Sequence, residues 1–241
     1  MDLDLKGKVA FITGGGQGVG RRIATQLAEE WCKVAINDFF PERAEAVAAE
    51  IRTAGGQAYA APADITNKSA IDAAIAGTVA SLGPIDILVN NAGVTVDRRA
   101  KGGMAPMFLE TGASDWENII ALNIWGMLHC CHAVLPGMRE RRWGKIVNIM
   151  SEAGRAGEAR LAVYSAAKAA MLGMTGATGS SADIRRCSFP ANFTQAVHSR
   201  DYGGGALGFR SVPAINIEGC TFRTNFCRQA SGTGSHTVSG P

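Results

Sequence analysis

The sequence lacks the features that mark membrane-spanning or secreted proteins. No uninterrupted apolar run among its 241 residues reaches the roughly 18 residues that a membrane-spanning helix needs. The opening residues, Met1 to Lys6, lack the basic stretch and apolar core of a secretion signal. The net charge of +3 is too small to indicate a nucleic-acid partner. These absences predict a cytoplasmic protein whose partner is neither a membrane nor a nucleic acid.

Cysteine is also sparse for a disulfide-stabilised protein. Six cysteines in 241 residues, without a secretion signal, favour free thiols over a disulfide framework. The hydrophobic share of 46% and the charged share of 19% are ordinary for a globular protein, and the length suits a single α/β domain. The cysteines are Cys32, Cys130, Cys131, Cys187, Cys220 and Cys227.

The composition changes near Thr178. Residues 178–241 contain six arginines, three acidic residues and no lysine, so they carry the whole net charge of +3. Leucine occurs there once, at Leu207, and neither helical nor strand periodicity persists for more than a few residues. We therefore divide the chain into a domain of residues 1–177 and an atypical tail of residues 178–241, expected to be partly disordered.

A glycine-rich turn follows the first apolar segment. Residues 8–12 predict a strand, and apolar residues after Gly20 recur at helical spacing. Glycines allow a tight turn and a close approach of the backbone to a diphosphate, which the free N–H groups at the helix start attract. The turn from Thr13 to Gly20 is a candidate dinucleotide-binding motif, although an ordinary glycine-rich turn has the same pattern.

An aspartate follows the second predicted strand, residues 33–36. Asp38 lies eighteen residues after the last glycine of the turn, a distance at which its carboxylate can accept hydrogen bonds from a ribose 2′-hydroxyl. Its charge repels a 2′-phosphate, and neither Gln17 nor Phe39 supplies a positive charge beside it. The sequence therefore favours NAD over NADP. Arg21 and Arg22 can face either phosphate or solvent, and a loop-capping role is the alternative for the aspartate.

Strands and helices alternate as far as residue 150. Further strands are predicted at residues 58–61, 85–89 and 145–150, with helices at residues 42–54 and 68–82 between the earlier ones. Such alternation produces right-handed crossovers and a parallel sheet whose ligands lie at the carboxyl ends of the strands. The predicted fold class is α/β, a Rossmann-like doubly wound parallel sheet of five strands, and strands in the tail are left open.

A long loop precedes the fifth strand. Residues 94–113 include Arg98, Arg99 and Lys101, and loops of this length in compact domains often bind ligands. The three cations can attract an acidic or acyl-coenzyme substrate, or they can simply be solvated.

A long apolar helix follows this loop. Residues 114–117 match a capping box that opens the helix, which is predicted to reach about residue 139. The run from His129 to His132 contains two cysteines and has the residue types of a metal site. A buried or interface face is favoured, because adjacent cysteines point in different directions and no carboxylate joins them.

A tyrosine and a lysine four positions apart are the main candidates for chemistry. Tyr164 and Lys168 lie on one face of a helix, so the ammonium can stabilise the ionised phenol. Free tyrosine ionises near about pH 10 and would otherwise be a poor general base near neutral pH. Ser151 stands thirteen positions before the tyrosine, just past the fifth predicted strand. A bare Tyr-x-x-x-Lys more often marks an ordinary helix surface, so the other motifs decide its interpretation.

Taken in order, these motifs resemble the short-chain dehydrogenase/reductase family. The shared features are the glycine turn, an Asn-Asn-Ala-Gly strand end, a helix asparagine, a serine and the Tyr-x-x-x-Lys pair, over about three quarters of the chain. The matching positions are Thr13, Gly14, Gly18, Gly20, Asn90, Asn91, Ala92, Gly93, Asn123, Ser151, Tyr164 and Lys168.

The resemblance implies an NAD-dependent oxidoreductase acting on a secondary alcohol or ketone. Tyr164 would exchange a proton with the substrate oxygen, and Ser151 would hydrogen-bond the same oxygen. Lys168 would bind the nicotinamide ribose and favour the ionised phenol, while Asn123 would hold a water that relays protons. The implied cofactor-binding residues are Gly14, Gln17, Gly18, Val19, Gly20, Asp38, Asp64, Ile65, Asn91, Ala92, Gly93, Tyr164 and Lys168.

Individual cofactor contacts and an assembly are also implied. The glycines would bind the diphosphate, Asp38 the adenosine ribose, and Asp64 with Ile65 the adenine, while Asn91 would order the strand end beneath the cofactor. Family members are usually dimers or tetramers through the helices that carry Asn123 and Tyr164, so a homo-oligomer is expected.

The resemblance ends after Met174. Family members continue into a sixth strand with an asparagine and then a Pro-Gly turn that touches the nicotinamide, and neither follows here. Our interpretation is that the tail is an altered reading frame or an alternative end, and the rival interpretation is a divergent, folded substrate cap. Loss of the sixth strand would leave the reaction centre exposed to water and one edge of the sheet without a pairing strand. A non-catalytic NAD-binding protein, or the inactive product of a damaged gene, therefore stays as the alternative function.

Overall fold

The computed structural model of the chain describes residues 4–93 and 105–174 with their side chains, and beyond these the backbone of residues 175–178 and of six short strands between residues 181 and 228. Two compact units are formed, Met1–Leu172 and Gly173–Pro241. The catalytic and cofactor-binding candidates all lie in the first unit.

Five parallel strands form the sheet of the first unit. They are β1 (Val9–Ile12), β2 (Lys33–Ile36), β3 (Gln57–Ala60), β4 (Ile87–Asn90) and β5 (Lys145–Asn148). Their spatial order is β3-β2-β1-β4-β5, and all four neighbouring pairs are parallel. This order confirms the predicted Rossmann-like sheet, because the chain leaves β1 towards one edge and returns to the other side of it with β4.

Two interior strands of the sheet, β1 and β4, are mostly apolar. Every residue of β1 and β4 is buried, because helices cover both faces of a parallel sheet. Phe11, Ile36 and Leu88 are fully buried, and burial of a side chain of this size stabilises a fold by about 1.5–3 kcal/mol. This core holds the strand ends that carry the candidate site.

Helices connect these strands. They are α1 (Gly18–Glu29), α2 (Pro41–Thr53), α3 (Lys68–Leu82), α4 (Ala113–Ile120), a π-helical turn (Ala121–Trp125), α5 (Gly126–Glu140), α6 (Glu152–Ala156) and α7 (Ala162–Thr178). Local sequence explains several of the helix starts. Pro41 occupies the first turn of α2, where its missing N–H costs nothing, and the Asn67 side chain accepts a hydrogen bond from the N–H of Ala70 at the start of α3.

The capping box predicted at residues 114–117 was wrong. Helix α4 begins at Ala113, and the N–H of Gly112 donates a hydrogen bond to the Asp115 carboxylate at 3.0 Å. Asp115 is the third residue of this helix, so its short side chain reaches back to the N-cap as well as the predicted glutamate would have done.

Helix α4, the π-helical turn and α5 form one continuous helix, Ala113–Glu140. By length and composition alone this helix could cross a membrane. It packs against α3 and β4, and it buries Met127, Cys130 and Val134. These contacts are those of a core helix in a sheet protein.

Strand β5 forms an edge of the five-stranded sheet among the residues that the structure describes. Its only partner there is β4, and Val147 is 44% exposed. An edge strand presents unpaired N–H and C=O groups, which makes it a potential site of association.

Six strands lie in the second unit and form three parallel pairs. β6 (Ser181–Arg185) pairs with β9 (Ala214–Glu218), β7 (Ser188–Pro190) with β10 (Thr221–Arg223), and β8 (Phe193–Gln195) with β11 (Phe226–Arg228). Sequence periodicity does not reveal them, because each is only three to five residues long. The cations Arg98, Arg99 and Lys101 of the predicted binding loop lie outside the described residues.

Candidate functional site

The ends of β1 and β4 meet at the point where the strand order reverses. The Thr13 hydroxyl oxygen, just past β1, accepts hydrogen bonds from the N–H groups of Asn91 at 3.0 Å and Ala92 at 3.1 Å. Ligands of doubly wound sheets bind in the crevice at this reversal. The structure therefore brings the predicted glycine turn and the Asn-Asn-Ala-Gly segment to the same crevice.

Asn91 fastens the glycine turn to this strand end. Its side-chain nitrogen donates to the carbonyl oxygens of Thr13 at 2.9 Å and Gly14 at 3.1 Å. A Cβ atom on Gly20 would lie 2.2 Å from the Gly14 oxygen, a distance that no side chain can occupy. Helix α1 consequently starts directly beside the turn, and Gly14 itself has a φ of +61° that suits glycine.

The start of α1 is suited to bind an anion. Helix α1 begins at Gly18, and the preceding Gln17 makes no side-chain capping hydrogen bond. The first-turn N–H groups of a helix lack intrahelical acceptors and carry the positive end of the helix dipole. Val19, in this first turn, is 63% exposed. Backbone donors are thus available where the resemblance implies a diphosphate.

Asp38 is held in a fixed orientation beside the turn. One carboxylate oxygen accepts the Gly16 N–H and the other accepts the Phe40 N–H, each at 3.1 Å, and the residue is 5% exposed. A carboxylate offers about four lone-pair positions, so two hydrogen bonds leave capacity for hydroxyl groups. The geometry fits a ribose, and it also contains the loop-capping contacts that sequence left as the alternative.

The two residues predicted to contact the adenine lie in the loop after β3. Asp64 is engaged within this loop, because one of its oxygens accepts both the N–H and the hydroxyl of Thr66 at 2.9 and 2.8 Å. Ile65 is 5% exposed, and its carbonyl oxygen lies 3.0 Å from Nδ1 of His129 on α5. Nothing local in the sequence joins His129 to this loop.

Asn37 is a further positioning residue that sequence reasoning did not identify. It is 1% exposed, and its side-chain nitrogen donates to the carbonyl oxygens of Ala61 at 3.0 Å and Ala63 at 3.1 Å. These bonds tie the end of β2 to the loop after β3. The signal was an asparagine directly before the candidate aspartate, since a buried strand end needs its carbonyl groups satisfied.

Asn123 lies in the π-helical turn between α4 and α5. Its side-chain nitrogen donates to the carbonyl oxygen of Ile119 at 3.0 Å, and its buried side-chain oxygen has no hydrogen-bond partner within residues 4–93 and 105–174. π-helical turns frequently mark functional sites. A buried acceptor without a partner is costly in a protein, so this oxygen is a position where a water or ligand donor would be stabilised.

Lys168 of α7 is buried at 3% exposure. Burial lowers the pKa of its ammonium from 10.5 to about 8. A Cβ atom on Gly93 would lie 2.6 Å from its Nζ atom and 2.8 Å from the Asn123 oxygen. The backbone of Gly93 therefore sits against both side chains, and the absence of a side chain at this position is what permits the contact.

The predicted serine and tyrosine belong to two helices that pack together. Ser151 is the N-cap of α6, where its hydroxyl oxygen accepts the Ala153 N–H at 3.2 Å. A Cβ atom on Gly154 would lie 2.8 Å from the backbone carbon of Lys168, so α6 packs tightly on α7. Tyr164, one turn before that lysine, is half-buried. All four catalytic candidates thus lie on elements that converge beside the ends of β4 and β5.

The His129–His132 run has a buried cysteine face. Cys130 and Cys131 are fully buried, and burial raises the pKa of the Cys130 thiol to about 12. The pKa of the Cys131 thiol is also raised above its ordinary value, chiefly by burial. His129 is half-buried and His132 is exposed. Within residues 4–93 and 105–174 no group of three potential metal ligands converges. These two cysteines and Cys32, which is also buried, are free thiols.

Comparison with known proteins extends over most of the first unit. Residues 8–186 match the model of the short chain dehydrogenase family. Over 154 residues, the chain is 40% identical to a 5-keto-D-gluconate 5-reductase of Escherichia coli, covering 63% of this chain and 58% of that protein. Over 151 residues, it is 36% identical to a 3-oxoacyl-[acyl-carrier-protein] reductase of Staphylococcus aureus, covering 62% and 58%. The chain thus spans less than two thirds of the length of these relatives.

Solved structures of short-chain dehydrogenases/reductases also match this chain. A short-chain dehydrogenase/reductase from Burkholderia phymatum in complex with NAD matches with a TM-score of 0.66 and 28% identity, over 72% of this chain and 59% of that chain. A metagenomic short-chain oxidoreductase in complex with NADP matches with a TM-score of 0.66 and 32% identity, over 73% and 76%. A 7α-hydroxysteroid dehydrogenase complexed with NADH matches with a TM-score of 0.64 and 34% identity, over 70% and 63%.

Proposed function

Because the chain belongs to the short-chain dehydrogenase family, we propose that it transfers a hydride between NAD(H) and a secondary alcohol or ketone, with Tyr164 as the general acid and base. Relatives whose names describe keto and oxoacyl reductases support this reaction type. The nicotinamide dinucleotide, when bound, supplies the acceptor or donor of the hydride.

One structural relationship carries the proposal. Asn91 fastens the glycine turn, and Gly93, two residues later, contacts Lys168 and Asn123. A single strand end therefore connects the dinucleotide-binding turn to the predicted reaction groups. Rigid placement of this kind aligns a catalytic group with a bound reactant, and such alignment accounts for much of an enzyme's rate enhancement.

Each predicted side chain has a role in the proposed reaction. Tyr164 exchanges a proton with the substrate oxygen, and Ser151 holds that oxygen by a hydrogen bond. Lys168 binds the nicotinamide ribose and stabilises the ionised phenol. Asn123, whose side-chain oxygen needs a donor, holds the water through which the proton leaves.

NAD is the proposed cofactor. Asp38 places a fixed carboxylate beside the glycine turn. In the proposed complex this carboxylate accepts hydrogen bonds from the ribose hydroxyls, and its charge repels a 2′-phosphate. Gly14, Gly18, Val19 and Gly20 line the proposed diphosphate position together with Gln17, and the matched structures include NAD and NADP complexes. Residue 38 is therefore the feature on which the choice of NAD depends.

The proposed substrate is a small ketone or alcohol that is acidic or carries an acyl carrier. The names of the two relatives describe a keto acid and an oxoacyl group on a carrier protein. The cations of the loop after β4, Arg98, Arg99 and Lys101, supply the complementary charge. We also propose that the protein is cytoplasmic and forms a homo-oligomer through the helices that carry Asn123 and Tyr164.

A non-catalytic NAD-binding protein is the second candidate. The strands of the tail pair with one another, and among the described residues no sixth strand joins β5. The sixth strand that the resemblance implies is thus not part of the described sheet. Dinucleotide binding without turnover would follow from this arrangement.

The two candidates differ in one assay. The full chain is mixed with NAD and a panel of secondary alcohols, and the absorbance of the reduced nicotinamide is followed. The proposed enzyme produces a signal that Tyr164→Phe lowers by about 100-fold or more, while NAD binding persists. Tyr59→Phe, outside the site, is the matched control. Unchanged activity in Tyr164→Phe would refute the mechanism, and tight NAD binding without turnover would support the second candidate.

A further inference from the structure

Helix α5 holds the loop of Ile65 at two points. His129 lies 64 positions along the chain from Ile65, and its Nδ1 atom is 3.0 Å from the isoleucine carbonyl oxygen. A carbonyl oxygen can only accept, so Nδ1 carries the hydrogen in this contact. One turn earlier, Gly126 makes room for the isoleucine side chain, since a Cβ atom there would lie 2.5 Å from its terminal carbon.

The remaining hydrogen bonds of this loop are made within it or to β2 and the residues that follow β2. Asp64 binds Thr66 within the loop, and the N–H of Asn67 donates to the Asp64 carbonyl oxygen. The N–H of Ala63 bonds the Asp38 carbonyl oxygen, which ties the other side of the loop to β2. The histidine is thus the polar contact from α5 that fixes where the peptide of Ile65 lies.

We propose that His129 is a positioning residue for the adenine end of the dinucleotide site, acting through the backbone of Ile65. This role rests on the proposed NAD binding. His129 does not touch the ligand in this role. It fixes the position of the loop against α5, and Asp64 and Ile65 of this loop are the residues that the resemblance implies for the adenine.

Binding of three ligands to the full chain tests this role. The ligands are NAD, AMP, which carries the adenine half, and nicotinamide mononucleotide, which carries the other half. His129→Leu is expected to lower the affinity for NAD and for AMP by roughly five- to tenfold, which corresponds to the loss of one hydrogen bond. The affinity for nicotinamide mononucleotide is expected to stay unchanged. His129→Asn places an N–H at a similar distance from the backbone and is expected to restore most of the affinity. His132→Leu, on the exposed side of the same helix, is the control.

The outcomes separate this role from the proposed function. If the wild-type chain binds no NAD, the proposed function itself fails. If it binds NAD and His129→Leu binds AMP equally well, only the positioning role is refuted. A parallel loss of AMP and nicotinamide mononucleotide would indicate general destabilisation and would also refute it.

An independent observation concerns the tail, whose sequence repeats itself. The segment Ile184-x-x-Cys187-Ser188-Phe189-x-x-Asn192-Phe193 recurs as Ile217-x-x-Cys220-Thr221-Phe222-x-x-Asn225-Phe226. Five of these six positions are identical and the sixth exchanges serine for threonine. The spacing between the two copies is 33 residues throughout.

The strand pairing follows the same spacing. β6 pairs with β9, β7 with β10 and β8 with β11, and every paired residue lies 33 positions after its partner. The paired positions include Ile184 with Ile217, Phe189 with Phe222, and Phe193 with Phe226. Stacked parallel copies of a short sequence repeat are the architecture of a β-solenoid.

We infer that the six described strands between residues 181 and 228 belong to two coils of a parallel β-solenoid, a module distinct from the dehydrogenase fold. An out-of-frame translation would produce the same residues at a fixed spacing only by coincidence, so the repeat argues against an altered reading frame. The family match reaches residue 186 and includes β6. In the structure, however, β6 pairs with β9 as its repeat partner, which a family sixth strand or a substrate cap would not explain.

Disulfide formation in the full chain tests the register. Thr194 pairs with the native Cys227, and neighbouring strands lie about 4.8 Å apart, within the range that a disulfide spans. In a Cys187→Ser, Cys220→Ser background, Thr194→Cys is expected to form a disulfide with Cys227 on oxidation, as read by peptide mapping. Gln195→Cys is the matched control, since residue 195 pairs with Arg228 and not with Cys227. Equal disulfide yields in both variants, or no disulfide in either, would overturn the solenoid.

Discussion

The Nζ atom of Lys168 donates a hydrogen bond to the carbonyl oxygen of Ile149 at 3.0 Å. This bond joins helix α7 to the chain just past β5, two residues before Ser151. Met171, one turn later on α7, places its sulfur 3.6 Å from the same nitrogen. The lysine is thus buried in a pocket with one carbonyl and one soft acceptor, and no carboxylate is bonded to it among the described residues, which explains why burial dominates its pKa.

The first prediction concerns stability and pH. The pKa of Lys168 is lowered to about 8 in the folded protein, whereas the unfolded chain keeps the ordinary value of 10.5. Below about pH 8 both states are protonated and the burial cost is fully present; between the two values only the unfolded state binds the proton. The free energy of unfolding should therefore rise from about pH 7 to about pH 9.5, by on the order of 1–2 kcal/mol.

Denaturant unfolding at the two pH values measures this effect. Lys168→Met, which keeps the length of the side chain without its charge, should lack this contribution to the pH dependence. An identical pH dependence in the variant and the wild type would contradict the assignment to Lys168.

The second prediction concerns NAD binding and pH. If the ammonium of Lys168 binds the nicotinamide ribose, the affinity for NAD should fall severalfold as the pH rises through about 8, because the amine loses its charge. Isothermal titration of NAD between about pH 6.5 and pH 9 gives the profile. Lys168→Met should bind more weakly and show a flat profile, and a flat profile in the wild type would count against a charged contact.

A third prediction tests the choice of cofactor. Asp38→Asn removes the negative charge while its side-chain oxygen can still accept one of the two backbone hydrogen bonds. The ratio of NADP to NAD affinity should rise by about tenfold or more, because the repulsion of a 2′-phosphate is lost. Asp72→Asn, an exposed aspartate paired with Lys68, is the matched control. An unchanged ratio in Asp38→Asn would show that this carboxylate does not select the cofactor.

The fourth prediction concerns the close contact at Gly93. In Gly93→Ala, the new Cβ atom would meet Lys168 and Asn123 at 2.6 and 2.8 Å. We expect turnover to fall strongly and the free energy of unfolding to decrease by about 1–3 kcal/mol, the usual cost of overpacking. Gly173→Ala is the control, because nothing lies within 4 Å of that position and alanine favours a helix. Full activity in Gly93→Ala would mean that the two side chains can move apart freely.

Much of the fold was predictable because its signals are local. The alternation of short apolar runs with helical periodicity determined the five strands to within two residues. The glycine turn, Asp38, the Asn-Asn-Ala-Gly segment and Ser151 all lie at the carboxyl ends of strands, where a parallel sheet exposes its ligand-binding groups. Asn123 and the Tyr-x-x-x-Lys pair lie on helices. The capping acid of α4 was misplaced because Asp115 and Glu117 satisfy similar local patterns, and only the backbone conformation at Gly112 distinguishes them.

The sequence by itself determined which residues are available: a glycine turn with an aspartate after it, and an asparagine, serine, tyrosine and lysine in order. Tertiary structure decided which of them meet. Only the strand order sets Asn91 against the glycine turn, and only helix packing brings Gly93 between Lys168 and Asn123, since these contacts join segments that are distant in the chain. The link from His129 to Ile65 arises in the same way, whereas the 33-residue register of the tail strands follows the repeat in the sequence. Non-local contacts of this kind depend on packing and chain topology, which local periodicity does not encode.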